Sequence, residues 1–192
     1  TQGVSSAASD VYKRQIGVPL AGVTIRLADE NNRTVVDGIS GEIQVKGPNV
    51  FKEYWEKPDA TEGSFIDGWF KTGDIAVFEK GSYKILGRDS VDIIKSGGYK
   101  ISALEIEEVL RKHPAIEDCA VVGIPDEEWG EIIGASLIMT RDQETTTAIK
   151  EWLKDKLPGY KIPRKYLIQT DLPRNVMGKV TKKVLQKIFI EG

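Results

Sequence analysis

The spacing of apolar residues changes at Tyr99, from every second residue before it to every third or fourth after it. A period of two lays alternate side chains on opposite faces of a strand, and a period near 3.6 lays them along one stripe of a helix. The chain is therefore expected to be α+β. A β-rich part runs up to the stretch Gly87–Ser102, and strands mixed with amphipathic helices follow it.

In the first part, Val23, Ile25 and Leu27 alternate with Thr24, Arg26 and Ala28, and Ile43 and Val45 alternate within Gly41–Gly47. Both read as half-buried strands. Val50–Trp55 carries three aromatics, and Pro58–Phe65 reads as a short helix or turn. Trp69 and Phe70 are expected to anchor a core. Asp74, after Gly73, reads by itself as a turn residue. Ile75–Phe78 and Ser82–Leu86 form two strands of a hairpin closed by Lys80-Gly81.

The pivotal stretch holds Arg88, a short apolar strand from Val91 to Ile94, Lys95 and the pair Gly97-Gly98. Two glycines reach backbone conformations closed to other residues and let a ligand lie against the main chain, but by spacing alone they read first as a plain hairpin turn. Beyond it, Ser102-Ala-Leu-Glu105 has the spacing of a capping box. Ala103, Ile106, Val109 and Leu110 line one helix, which stops at His113-Pro114. Glu105, Glu107 and Glu108 are assigned to a cap and a solvated face. Strands are expected at Ile116–Ile124 and Gly134–Thr140, with Pro125–Gly130 a loop between them. Ile149, Trp152, Leu153 and Leu157 line a second helix and Lys165–Gln169 is a strand. A last helix starts near Thr181, with Val184, Leu185, Ile188 and Phe189 as its stripe and Lys182, Lys183 and Lys187 on its wet face. Pro and Gly bound the loop Leu172–Lys179, so Lys179 is expected to be exposed.

Composition removes several function classes. Forty per cent hydrophobic and 29% charged residues match an ordinary soluble globule. A net charge of −2 gives no electrostatic reason to expect nucleic acid or an anionic membrane. The longest apolar run, around Ile132–Met139, is too short to span a bilayer, and no signal-peptide pattern or internal repeat is visible. The single cysteine, Cys119, excludes an internal disulfide and sits in an apolar run, where a buried small side chain is expected. One histidine, His113, leaves no histidine-rich metal site, and no metal ligands are assigned. Residues 1–15 are small, polar and aperiodic at first and then read like a translated sequencing adapter, so they are expected to be a disordered tail or a scar.

Four segments occur together and in order: Gly41-Glu-Ile to Tyr54-Trp55, Trp69-Phe-Lys-Thr-Gly-Asp74, Gly87-Arg88 to Lys95-Ser-Gly-Gly-Tyr-Lys100, and Pro173-Arg-Asn-Val-Met-Gly-Lys179. In series they resemble the adenylate-forming enzymes, which include acyl-CoA synthetases, adenylation domains of peptide synthetases and luciferases. The wording from Ser90 to Glu107 is most similar to malonyl-CoA synthetases. The resemblance implies that residues 16–88 are the β-rich end of a large N-terminal adenylating domain and residues 89–192 a small α+β lid domain.

It further implies a two-step reaction, in which ATP converts a carboxylate to an acyl adenylate and coenzyme A then displaces AMP. Asp74 and Arg88 would hold the ribose of ATP or AMP, and Lys179 would be catalytic, its ammonium beside the carboxylate and α-phosphate. Gly97, Gly98, Tyr99 and Lys100 would line the pantetheine path, with Trp129 toward the nucleotide end of coenzyme A. The lid hinge would lie among Asp89, Ser90 and Asp92; one residue more than in many relatives separates Arg88 from Lys95, which leaves the pivot open. The family's phosphate loop, its ATP- and Mg2+-binding pair and its acyl pocket have no counterpart here. Magnesium ligands are therefore expected upstream, and the chain alone is expected to be inactive or nearly so. The expected partners are a small carboxylic acid such as malonate or a methylmalonate-like acid, ATP and coenzyme A, in the cytoplasm or, in a eukaryote, the mitochondrial matrix. Two alternatives stand beside this: a carrier-protein-loading adenylation domain, distinguished by whether free coenzyme A is the acceptor, and a non-catalytic nucleotide- or coenzyme A-binding module, distinguished by tight binding of either to the chain in calorimetry.

Overall fold

The computed structural model describes residues 15–140 and 145–191; apart from Gln15, the tail or scar read at residues 1–15 lies outside them. The chain is α+β, and it divides into two compact units between Asp89 and Ser90.

The first unit is one antiparallel sheet. Its strands are β1 (Thr24–Ala28), β2 (Gly41–Lys46), β3 (Phe65–Ile66), β4 (Trp69–Glu79) and β5 (Ser82–Arg88), in the order β1-β2-β4-β3 with β5 also paired to β4. Alternation puts Leu27, Ile43 and Ala76 on one buried face, packed with Ile25, Val45, Phe78 and Tyr83. Helix α1 (Pro58–Ser64) begins with a proline in its first turn, where the missing N–H costs nothing. Phe70 enters an aromatic cluster with Phe51, Tyr54 and Phe65. Trp69, expected in the core, is instead half-buried beneath the Arg26 guanidinium, 4.5 Å from its ring centroid.

The second unit begins with a hairpin of β6 (Ile93–Ser96) and β7 (Tyr99–Ser102), and continues through α2 (Ala103–Leu110), β8 (Ile116–Asp126), β9 (Gly130–Met139), α3 (Thr146–Lys154), β10 (Lys165–Gln169) and α4 (Lys182–Glu191). β9 pairs antiparallel with β8, parallel with β10, and touches β6 at Ser96↔Gly130. Both sheet faces are covered. Cys119, Val121, Ile133, Ala135 and Leu137 face α2 and α3, while Ala120, Val122, Ile124 and Ile132 face α4. Two-sided burial explains why Cys119–Val122 and, apart from the buried Ser136, Ile132–Met139 are apolar runs rather than alternating ones.

Local expectations are met with some shifts. Ser102 caps α2, its hydroxyl accepting from the Glu105 amide at 3.2 Å, but the Glu105 carboxylate takes the Lys161 ammonium at 2.7 and 2.8 Å. The loop expected at Pro125–Gly130 is shorter, because β8 runs on to Asp126 and β9 starts at Gly130. The strand read at Val91–Ile94 is β6, two residues later, and Val91 is exposed. In α4, Leu185 and Phe189 are buried as expected, whereas Val184 is exposed.

Two residues on the carboxylate-rich helix and the last helix depart from expectation. Glu107 is 4% exposed rather than on a solvated face, and Lys182 is withdrawn from the wet face of α4 into an ion pair with it at 2.8 Å. Lys183 and Lys187 are exposed as expected.

Burial pushes the Cys119 thiol up to about 12, so it holds its proton at neutral pH as an inert core group. Burial likewise pushes the Tyr166 phenol up to about 12, and its hydroxyl has no hydrogen-bond partner among the described residues. A buried donor left unsatisfied costs about 1–3 kcal/mol. Tyr166→Phe is therefore expected to raise the urea midpoint of the chain, by about 1 kcal/mol in stability; a fall of that size would mean the hydroxyl has a partner.

Candidate active site

Asp74 and Arg88 meet at the end of the first unit's sheet. They are register partners on β4 and β5, and Arg88 Nε lies 3.0 Å from Asp74 Oδ1. The geometry that presents Asp74 comes from β2. Glu42 pairs with Ile75 and Gln44 with Lys71, so the three residues Thr72–Asp74 oppose Ile43 alone and bulge outward. The bulge is pinned: Thr72 Oγ1 donates to the Ile43 carbonyl at 2.8 Å, the Gly73 amide donates to Glu42 Oε1 at 3.1 Å, and the Asp74 amide donates to Thr72 Oγ1 at 3.1 Å. Asp89 closes the segment, its amide donating to the Gly73 carbonyl at 3.0 Å. The result is a partly exposed carboxylate beside a planar cation, able to accept from vicinal hydroxyls and donate to a sugar or phosphate oxygen.

In the second unit, Gly97 and Gly98 form the two-residue turn between β6 and β7, with φ of +55° and +82°. Positive φ at both positions fits a type I′ hairpin, so the plain turn reading of the glycines is correct as far as it goes. Gly97 carries a second constraint. Its amide donates to the Trp129 carbonyl at 2.9 Å, and a Cβ there would come within 2.9 Å of the Trp129 ring. Trp129 is fixed by Asp126, whose Oδ1 accepts its amide at 2.9 Å, and the Arg164 guanidinium lies over the ring at 4.1 Å. Tyr99 is exposed and stacks on Tyr160 with centroids 4.6 Å apart. Lys100 is exposed and sits opposite Lys95 in the hairpin register. Tyr160 and Arg164 had no sequence signal, because they lie far along the chain from the turn they border.

Lys179 sits at the end of a tight loop. Asn175 organises it: its Oδ1 accepts from the Met177 and Lys179 amides, both at 3.0 Å, and its own amide donates to the Lys179 carbonyl at 2.8 Å. The Lys179 side chain is exposed as expected, and among the described residues it takes no partner. Val176 and Met177 at the tip are exposed as well. Of the hinge residues, Asp89 and Ser90 flank the division, while Asp92 is held within the second unit by Lys182 at 2.8 Å and by its carbonyl accepting from the Ala103 amide at 2.8 Å. Among the described residues no group of three or more His, Cys, Asp or Glu side chains is placed to hold a metal ion.

The model of the AMP-binding enzyme C-terminal domain matches residues 105–179, and that of the AMP-binding enzyme matches residues 2–55. Residues 105–179 are thus similar to the AMP-binding enzyme C-terminal domain. The match to this domain ends on Lys179, and the upstream match includes the segment whose composition reads as a tail. The mitochondrial malonate–CoA ligase ACSF3 of Bos taurus is 44% identical over 88% of this chain and 33% of its own length. The malonate–CoA ligase of Arabidopsis thaliana is 47% identical over 90% of this chain and 30% of its own length. The crystal structure of ATP-bound MatB from Rhodopseudomonas palustris matches with a TM-score of 0.80 at 36% identity, covering 91% of this chain and 35% of that one. The chain thus spans about a third of the length of the curated relatives it matches. No helix among the described residues is long and apolar enough to cross a membrane.

Proposed function

We propose that this chain is the C-terminal part of an ATP-dependent acyl-CoA ligase acting on malonate or a methylmalonate-like acid. The observation that carries the reading is its 44–47% identity to malonate–CoA ligases over about nine-tenths of its residues. In the first step a carboxylate oxygen attacks the α-phosphorus of ATP, and the bond to pyrophosphate breaks. In the second the sulfur of coenzyme A attacks the acyl carbon, its proton is lost to solvent, and the bond to AMP breaks.

Residue roles follow from the chemistry available. Asp74 accepts from the ribose hydroxyls and Arg88 donates to the same sugar, their mutual ion pair keeping both side chains oriented before the nucleotide arrives. Lys179 brings an unshared positive charge to the carboxylate and α-phosphate, where negative charge crowds in the adenylating step. Gly97, Gly98, Tyr99 and Lys100 guide the pantetheine arm, and Trp129 lies toward the nucleotide of coenzyme A. Magnesium would arrive on the phosphates of ATP, the usual manner of that ion, with its protein ligands outside this chain. Between the steps the second unit, which begins at Ser90, turns as a lid on the adenylating domain to which residues 16–88 belong. The pivot falls at Asp89 or Ser90, since Asp92 is tied into the second unit by two bonds. The reaction would run in the cytoplasm or, in a eukaryote, the mitochondrial matrix.

The test is a substrate survey on the complete ligase with ATP, Mg2+ and coenzyme A. Malonate or methylmalonate should give one AMP and one acyl-CoA per turnover, at a kcat/KM at least ~10-fold above that for acetate or a medium-chain acid, as expected of a pocket that pairs a second carboxylate. Equal use of acetate would overturn the acid assignment, and acyl adenylate that accumulates beside free coenzyme A would overturn the acceptor.

A further inference from the structure

Lys179 leaves the loop Pro173–Val180 beside two apolar side chains that nothing covers among the described residues, so the loop's own packing does little to fix its direction. Its main chain is closed by Asn175 and by the Thr181 amide, which donates to the Pro173 carbonyl at 2.7 Å, and charge ties both of its feet to the rest of the unit. On the entry side, Arg174 Nη1 donates to the Gly178 carbonyl at 2.8 Å, one residue before Lys179, and its Nη2 pairs with Asp118 Oδ2. Asp118 in turn faces Arg111 Nε at 3.7 Å, and Arg111 Nη2 reaches Glu107 Oε2 at 3.4 Å. On the exit side, Lys182, three residues after Lys179, is bound by Glu107 at 2.8 Å and Asp92 at 2.8 Å. One unbroken series of ion pairs therefore runs from Asp92 through Lys182, Glu107, Arg111 and Asp118 to Arg174, and the loop closes it into a ring.

We infer that Asp118 is a positioning residue for Lys179. Without its carboxylate, the Arg174 fork loses its anchor on β8 and the Gly178 carbonyl loses a fixed donor, leaving the loop closed by Asn175 and the Arg174↔Val180 bridge but fastened by charge at its exit foot only. The same series ends on Asp92, so the loop root and the first residues of the second unit are fastened to one another. Asp118 and Arg174 are both partly solvated, and solvated pairs add little to stability. The brace thus sets geometry at small cost to folding, which separates its effect from that of a structural lesion. The inference rests on the reading of Lys179 given above.

Asp118→Asn in the complete ligase is the test, since asparagine keeps the Oδ1 that accepts the Cys119 amide at 2.8 Å. In the ligand-free enzyme, hydrogen exchange at the Met177 and Lys179 amides should speed up at least ~10-fold, with the thermal midpoint nearly unchanged. Adenylate formation should fall ~10- to 100-fold in kcat, as a misplacement of about 1 Å costs, while thioester formation from supplied acyl adenylate keeps its rate. Asp118→Glu should restore part of both. Arg174→Lys, which keeps the charge but loses the second donor, should reproduce the loss. Unchanged exchange and adenylation in both variants would overturn the inference. Faster exchange with adenylation intact in both these variants and Lys179→Ala would instead leave the brace standing and sink the role of Lys179.

Discussion

Under the proposed function, replacing Lys179 by alanine in the complete protein is expected to slow adenylate formation by ~100- to 1,000-fold or more, the loss typical of one preorganised charge or donor at a developing anion. The thermal midpoint should not move, because the ammonium is exposed and bonds to no described residue, while the loop is tied through Asn175 and the Lys179 main chain. The second half-reaction provides the control. Supplied acyl adenylate has already lost pyrophosphate, so no charge needs neutralising at the α-phosphorus, and thioester formation should stay within about threefold of wild type. Lys179→Arg should recover only part of the loss, since a planar fork does not replace a compact ammonium. Pyrophosphate exchange and acyl-CoA release, measured separately, check both arms. If both half-reactions survive Lys179→Ala, the lysine is not catalytic.

Much of the fold could be read because each element obeyed one simple rule. Ser102 marked the start of α2 through its cap, and the 3.6 spacing of Ala103, Ile106 and Leu110 marked its buried side, all three being buried in the structure. The second unit's strands were found as apolar runs, although their lengths shifted, because two-sided burial removes the alternation that would mark their ends. β7 was missed as an element: four residues after a Gly-Gly turn carry too little pattern, and its role shows only in the pairing with β6. The bulge that presents Asp74 was likewise invisible, since it depends on how β2 and β4 are registered over thirty residues of separation.

The misread charges are more instructive. Lys182, Leu185 and Phe189 are spaced i, i+3 and i+7, and Ala103, Glu107 and Leu110 are spaced i, i+4 and i+7. Both charged residues therefore lie on the stripe of their own helix, not opposite it. A lysine on the buried stripe of one helix and a glutamate on the buried stripe of another are each costly alone. Together they announce a partner, which is how the structure resolves them. Lys183 and Lys187 do not fall on that stripe, and they are exposed. Arg174 and Asp118 gave no comparable signal, for neither belongs to a periodic face shared with the other.

That pairing sets the largest stability effect expected in the molecule. Glu107 accepts from the Val121 amide at 2.9 Å and from Lys182 at 2.8 Å through one oxygen, and faces Arg111 through the other. Glu107→Ala would leave a strand amide without its acceptor, a cavity beneath α2 and an ammonium in a dry site with Asp92 as its remaining counter-charge. Breaking a buried pair from one side costs about 3–5 kcal/mol, a large share of the 5–15 kcal/mol that holds a domain together. Urea unfolding of the chain should register that loss. Glu107→Gln, which keeps an acceptor for Val121 and nearly the same volume, should cost less than half as much. The decisive comparison is Glu107→Met with Lys182→Met in one protein. Removing both charges at once abolishes the uncompensated ammonium, so the double variant should be less destabilised than the sum of its singles by more than about 1 kcal/mol. Additive losses would mean that water reaches both groups, that the pair is worth no more than one on the surface, and that the withdrawal of Lys182 from its helix face has another cause.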